Sequence, residues 1–105
     1  MNYRNQSTDR LFQAILSLKT TEECYRFFED ACTVKEILDI AQRFEAACML
    51  DEKQSYQEIN REIGISSATI GRVSRSLLYG AGGYRLVIDR LKESENEGEA
   101  YGTDR

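Results

Sequence analysis

The sequence of 105 residues contains no histidine, no proline and no tryptophan. Without histidine there is no imidazole for general acid–base chemistry near neutral pH, no Ser-His or Cys-His nucleophile pair, and no histidine ligand for a metal. The remaining carboxylates have no nucleophile or base beside them in the sequence and resemble helix caps and tail charges. We therefore predict that the protein is not an enzyme and has neither a catalytic residue nor a metal site.

Cysteine is scarce, and its positions are uninformative for metal or redox chemistry. Cys24, Cys32 and Cys48 are odd in number and widely spaced, and no CxxC pair occurs, so neither a zinc site nor a thioredoxin-like motif is predicted. We expect buried free thiols in a reducing compartment. No apolar run approaches the roughly 18 residues of a membrane span or forms a signal sequence. These absences predict a cytoplasmic protein without membrane contact.

What the sequence does contain is a series of amphipathic helical segments. The spacing of apolar residues, with Ser/Thr-x-x-Glu capping boxes at Thr20, Thr33 and Ser55, predicts an all-α fold. The predicted helices cover about 8–19, 21–31, 34–50, 56–63, 67–79 and 83–93. We expect one helical domain over 1–93 and a disordered acidic tail over 94–105. A chain this short buries little of its own surface, and the wide apolar stripe of 34–50 suits burial between subunits.

Residues 56–77, YQEINREIGISSATIGRVSRSL, have the pattern of a helix-turn-helix. Gly64 lies where the turn needs a left-handed residue, and the positions expected to pack the two helices together are apolar: Ile59, Ile63, Ile65, Ile70 and Val73. The second helix of such a unit enters the major groove with its N-terminal end, where short side chains reach base edges. The candidate DNA-binding residues are Ser66, Ser67, Ala68, Thr69, Arg61, Arg72 and Arg75. The plain alternative is an ordinary helical hairpin.

Charge is unevenly distributed along the chain. The net charge is −4, which argues against indiscriminate coating of nucleic acid. Residues 55–92, however, carry six basic and three acidic side chains, whereas 1–54 carry seven basic and ten acidic, and 93–105 carry one basic and five acidic. The segment predicted to meet DNA is therefore the only one of the three with a positive balance.

The runs QEINREIG, residues 57–64, and SATIGRVSRSL, residues 67–77, resemble the Trp repressor superfamily. The similarity at motif level extends from Thr33 to about Lys92, and the whole chain resembles the TrpR-like proteins of the YerC/YecD type. The resemblance implies a Trp-repressor-like helical bundle with a helix-turn-helix, about 56–79, in an intertwined homodimer. It also implies a double-stranded, pseudo-palindromic DNA operator with half-sites about one helical turn apart.

The resemblance further implies a small-molecule corepressor site. Arg43 and Arg72 align with the two arginines that enclose the corepressor, and Thr33 and Ser76 align with hydroxyl residues beside it. Val73 replaces a glycine at this site, and a branched side chain there can exclude indole. Because surface arginines on helices are common, solvated or phosphate-facing arginines remain the alternative for Arg43 and Arg72.

The resemblance adds two DNA-facing positions and one difference from the family pattern. Gln57 and Asn60 stand where the repressor has basic side chains, and Gly71 replaces a threonine on the recognition helix, so the operator should differ. We therefore predict a sequence-specific DNA-binding transcriptional regulator, a repressor, with an amino-acid-like effector of unknown identity and no other cofactor. The alternative is a protein-interaction module that keeps the helix-turn-helix only as packing.

Overall fold

The structure is a computed structural model that describes the backbone of residues 2–100 and the side chains of residues 2–96. Six helices and no strands make up the described backbone, which confirms the predicted all-α fold. The helices are α1 (Gln6–Leu16), α2 (Thr21–Ala31), α3 (Val34–Asp51), α4 (Tyr56–Ile63), α5 (Ser67–Tyr79) and α6 (Gly83–Ala100).

The chain divides into two compact units, one ending at Leu38 and the other beginning at Asp39. In the first unit, Asn5 caps α1 through its side-chain oxygen, which accepts from the Thr8 amide at 3.0 Å, and Thr20 caps α2. Although α1 and α2 are amphipathic, none of residues 2–38 is buried. Large apolar side chains remain exposed on this unit: Leu11, Phe12, Leu16, Tyr25, Val34 and Leu38. The first unit alone therefore has no hydrophobic core.

The second unit has a buried apolar core. Helix α5 packs against both α4 and α6, and α3 contributes Ala46, Ala47 and Met49. The remaining buried positions are Ile59, Ile65, Ile70, Val73 and Ile88. Four of the five positions expected to pack α4 on α5 are therefore buried, and Ile63 is partly buried against them. The helix-turn-helix thus rests on the core of the second unit.

Local capping fixes the ends of α4. Ser55 Oγ accepts from the Glu58 amide at 3.1 Å, and Glu58 Oε1 accepts from the Ser55 amide at 3.0 Å, which is the predicted capping box. Hydrogen bonding to Ser55, chiefly from its backbone amide, holds the pKa of the Glu58 carboxyl below its usual range. At the other end Gly64 has φ 72°, in the left-handed region, and its amide donates to Asn60 O at 2.8 Å. The predicted turn chemistry is confirmed.

An ion cluster joins the end of α3 to α6. Asp51 accepts from Arg85 at 2.7 Å and from Lys92 at 2.6 Å, and Arg85 also contacts Asp89 at 3.2 Å. The hydrogen bonds from these two cations lower the pKa of the Asp51 carboxyl to about 2. The cluster therefore fixes α6 against the last turn of α3.

The predicted bounds of two helices were wrong. Helix α1 runs from Gln6 to Leu16 rather than over 8–19, because Asn5 provides the cap and Ser17 Oγ donates to Ala14 O at 2.6 Å where the helix ends. Helix α6 continues to Ala100 instead of ending near residue 93. Its added residues include several good helix formers and no proline, so nothing stops the helix. Disorder of 101–105 stays a prediction, because these residues lie outside the described part.

The predicted burial of the three cysteines also differs from the structure. Cys24 is exposed, because the first unit has no hydrophobic core, and Cys32 and Cys48 are half-buried. In the described residues no helix is long and apolar enough to cross a membrane. One domain over 1–93 stays a prediction.

Candidate nucleic-acid interface

The N-terminal turn of α5 is open to solvent and carries no acidic residue. Ser66 caps it: Ser66 Oγ accepts from the Thr69 amide at 3.2 Å and lies 3.0 Å from Thr69 Oγ1. Ser67 and Ala68 follow on the exposed surface, whereas Thr69 is half-buried. The first amide groups of a helix have no partner within the helix, and the positive end of the helix dipole lies there. Amides of this turn can therefore donate hydrogen bonds to a phosphate oxygen.

The two helices of the helix-turn-helix carry three exposed arginines, one on α4 and two on α5. Arg61, Arg72 and Arg75 are exposed, and the described part of the chain shows no ion pair that involves them. Arg72 makes only a long contact, 3.5 Å, from Nε to the Ala68 carbonyl oxygen. These guanidinium groups are therefore available for phosphates or for guanine edges.

The two candidate residues on α4 differ in their surroundings. Gln57 is exposed on the first turn of the helix. Asn60 is also exposed, but its carboxamide nitrogen donates to the Ile65 carbonyl oxygen at 2.7 Å. One of its two side-chain N–H groups is therefore already used inside the protein.

A cleft lies beside α5 in the second unit. It has a volume of about 320 Å³ and is lined by Arg43, Thr69, Arg72, Val73, Ser76 and Tyr84. Three of the four predicted effector residues, Arg43, Arg72 and Ser76, therefore meet at one cleft. The side chain of Val73 is 2% exposed and is packed into the core. Thr33 belongs to the first unit, where its hydroxyl accepts from the Glu36 amide at 3.1 Å and caps α3.

Sequence reasoning missed one residue of this cleft. Tyr84 stacks on Phe44, with ring centroids 6.5 Å apart and planes inclined by 29°, and it lines both this cleft and a larger apolar one of about 590 Å³. Its apolar position at the start of the last helix indicated only a core residue. Tyr84 therefore lines the same cleft as the two arginines and Ser76.

A model of the Trp repressor protein family matches residues 6–92 of this chain. The chain belongs to the Trp repressor family. The uncharacterized protein YerC of Bacillus subtilis (strain 168) is 53% identical over 94 residues, which are 90% of each chain. Among solved structures, a TrpR like protein from Eubacterium eligens ATCC 27750 is 54% identical with a TM-score of 0.83, over 85% of this chain and 92% of that one.

A second crystal structure, from Staphylococcus aureus and provisionally named a Trp repressor, is 46% identical with a TM-score of 0.82, over 85% of this chain and 89% of that one. The family match spans α1 to most of α6, including the helix-turn-helix. Membership indicates a DNA-binding regulator rather than an enzyme, which agrees with the open N-terminal turn of α5 and the exposed arginines of α4 and α5.

Proposed function

We propose that this protein is a sequence-specific transcriptional repressor that binds a double-stranded DNA operator as a homodimer in the cytoplasm. One observation carries the proposal: the helix-turn-helix presents an exposed N-terminal turn of α5 without acidic side chains, and its two helices carry three exposed arginines. In helix-turn-helix proteins this turn enters the major groove. The residues proposed to meet DNA are Gln57, Arg61, Ser66, Ser67, Ala68, Thr69 and Arg75. Asn60, which the sequence also suggested, already donates to Ile65 inside the protein.

The exposed apolar surface of the first unit supports the homodimer. Phe12 on α1 is 52% exposed, Leu16 is 82% exposed, and on α3 Val34 is 68% exposed. A monomer would leave these side chains in water, whereas each large apolar side chain that a partner buries contributes about 1.5–3 kcal/mol. A second copy also supplies the two reading heads that a pseudo-palindromic operator requires. Analytical ultracentrifugation at micromolar concentration should find a dimer, and a monomer would contradict this part of the proposal.

DNA binding is tested by selecting fragments from a random library with the purified protein. Selected operators are then used in mobility shifts with Ser67→Glu, which places a carboxylate at the first residue of α5. Glutamate at this position is compatible with the helix, so the fold should survive while phosphates are repelled. The matched control is Thr21→Glu, because Thr21 is the exposed first residue of α2.

We expect Ser67→Glu to reduce operator affinity at least about tenfold. The new carboxylate repels the phosphate and also prevents the phosphate contact that this turn would make. Thr21→Glu should retain wild-type affinity. If the wild-type dimer enriches no DNA sequence, the proposal fails. The helix-turn-helix would then serve only as packing in a protein-interaction module, which is the alternative function.

We also propose that a small amino-acid-like effector controls the protein at the cleft beside α5. The cleft is lined by Arg43 and Arg72 together with Ser76 and Tyr84, and guanidinium groups suit the carboxylate of such a ligand. Thr33 is proposed as a fourth residue on the family resemblance alone. Because Val73 stands where the family has glycine, a ligand smaller than tryptophan is favoured.

The effector is tested with each of the 20 common amino acids in a thermal-shift assay. A ligand that binds only the folded state at 100 times its Kd stabilises it by about 2.7 kcal/mol. Arg72→Lys should weaken the response, because it removes the planar guanidinium. If no amino acid changes the melting temperature or the operator affinity, the effector part of the proposal fails and the DNA-binding part stands.

A further inference from the structure

We propose that Asn60 positions the recognition helix through the turn and is not itself a base-reading residue. This inference rests on the proposed function, because the importance of the turn comes from the DNA-reading end that it holds. It replaces the role in DNA contact that the family resemblance suggested for this residue.

Asn60 holds both sides of the turn between α4 and α5. Its carbonyl oxygen accepts from the Gly64 amide at 2.8 Å, which closes the last turn of α4. Its side-chain nitrogen donates to the Ile65 carbonyl oxygen at 2.7 Å, one residue before the Ser66 cap. Any residue at this position would make the backbone bond to Gly64, whereas the bond to Ile65 needs the Asn60 side chain. That side chain therefore ties the end of α4 to the peptide from which α5 begins.

The orientation of the carboxamide follows from its partner. The Ile65 carbonyl can only accept a hydrogen bond, so the group that faces it must be the NH₂ of Asn60 and not its oxygen. Ile65 itself is 9% exposed and belongs to the core of the second unit. Its carbonyl is thus held from one side by core packing and from the other by Asn60, which leaves the direction of the first turn of α5 little freedom.

This arrangement limits what Asn60 can offer to DNA. Paired recognition of adenine by asparagine uses both the carboxamide oxygen and an N–H group directed at one base edge. With one N–H directed at the Ile65 carbonyl, turning the group toward a base would break the 2.7 Å hydrogen bond. The residue therefore affects operator binding through the placement of Ser66 and Ser67.

The test combines exchange in the free protein with binding to a selected operator. Asn60→Ala removes the donor while keeping a good helix former, and Asn60→Asp keeps the size of the side chain but presents only acceptors to the carbonyl. The control is Glu62→Ala, which changes an exposed residue of the same helix. The first measurement is hydrogen–deuterium exchange of the Gly64 and Thr69 amides, made without DNA.

Both Asn60 variants should speed exchange of these two amides about threefold to tenfold, which corresponds to one net hydrogen bond, and Glu62→Ala should not. With Asn60→Ala, the ratio of operator affinity to random-DNA affinity should fall about threefold to tenfold, with base preferences weakened evenly along the site. Unchanged exchange would overturn the proposal. Loss of preference at a single base pair would also overturn it, because it would show that Asn60 reads that base directly. An unchanged ratio of operator affinity to random-DNA affinity would overturn it as well, because Asn60 would then have a purely structural role.

The two proposals fail separately. If the wild-type protein selects no DNA, the proposed function is wrong, and the exchange rates still decide whether Asn60 holds the turn. If the protein selects an operator and exchange in both Asn60 variants matches the wild type, only the positioning role is wrong.

Discussion

Replacement of Ser66 can separate the folding role of the recognition-helix cap from its proposed role at DNA. In the structure Ser66 Oγ accepts from the Thr69 amide at 3.2 Å, so Ser66→Ala leaves one amide of the first turn of α5 without its partner. Loss of a serine cap typically costs about 1 kcal/mol. For a domain of this size that free energy lowers the melting temperature by roughly 4–8 °C. Because Ser66 is exposed, water replaces part of the lost bond and the shift should lie at the lower end.

The matched comparison is Ser67→Ala, since Ser67 is an exposed serine one position later that does not cap the helix. Urea unfolding at one fixed protein concentration should show the loss for Ser66→Ala only. Ser66→Asp restores an acceptor and adds a negative charge at the helix N-terminus, which is favourable by about 0.3–1 kcal/mol. Its stability should therefore return to that of the wild type.

DNA affinity should follow a different order from stability. Ser66→Asp should bind the operator more weakly than Ser66→Ala, because its carboxylate lies where the phosphates approach. Equal loss of stability in Ser66→Ala and Ser67→Ala would refute the capping argument. If Ser66→Asp instead bound the operator as tightly as the wild type, the N-terminal turn of α5 would not face DNA.

Three further substitutions test other features of the fold. The lowered pKa of Asp51 contributes stability that is present above its ordinary value of 3.8 and is lost as the pH falls toward about 2. Asp51→Asn should therefore lower the free energy of unfolding at neutral pH by about 1 kcal/mol, a figure that allows for solvent around the exposed cations. The pH dependence of unfolding between about 2 and 4, measured by circular dichroism, should be weaker than in the wild type. Lys53 has φ 69°, in the left-handed region that favours glycine. Lys53→Gly should therefore raise the free energy of unfolding, measured by urea titration, by about 0.5–1 kcal/mol. A Cβ added at Gly71 meets nothing within 4 Å, so Gly71→Ala should raise the free energy of unfolding in the same assay by about 1 kcal/mol.

The parts of the fold that were predictable depend on interactions between near neighbours. Three features depend only on residues three or four positions apart: the capping box of Ser55 and Glu58, the turn at the left-handed Gly64, and the Ser66 cap. The sequence pattern is sufficient to identify them. The bounds of α5 were predicted correctly for this reason. The end of α6 was missed because its acidic composition indicates disorder, although its residues tolerate a helix.

What the sequence did not reveal depends on contacts that have no periodic pattern. Asp51 meets Arg85 and Lys92, which lie 34 and 41 positions later, and only the packed core decides that these groups meet. The hydrogen bond from Asn60 to Ile65 spans five positions and follows no standard cap. Burial of Cys24 was predicted wrongly for a third reason: the apolar spacing of α2 predicts an apolar face, but it does not decide whether any core covers that face, and no residue from 2 to 38 is buried.

The ion cluster changes what the charge distribution predicts for DNA binding. Arg85 and Lys92 supply part of the positive balance of residues 55–92, but both are paired with Asp51. The exposed cations of α4 and α5 are Arg61, Arg72 and Arg75, so these helices can neutralise at most about three phosphates in each subunit. A dimer then reaches about six, and the slope of log affinity against log salt should be no steeper than about −5. Filter binding between 50 and 300 mM salt measures this slope. A much steeper value would contradict this limit and show that cations outside α4 and α5, such as the exposed Arg90 of α6, also contact the phosphates.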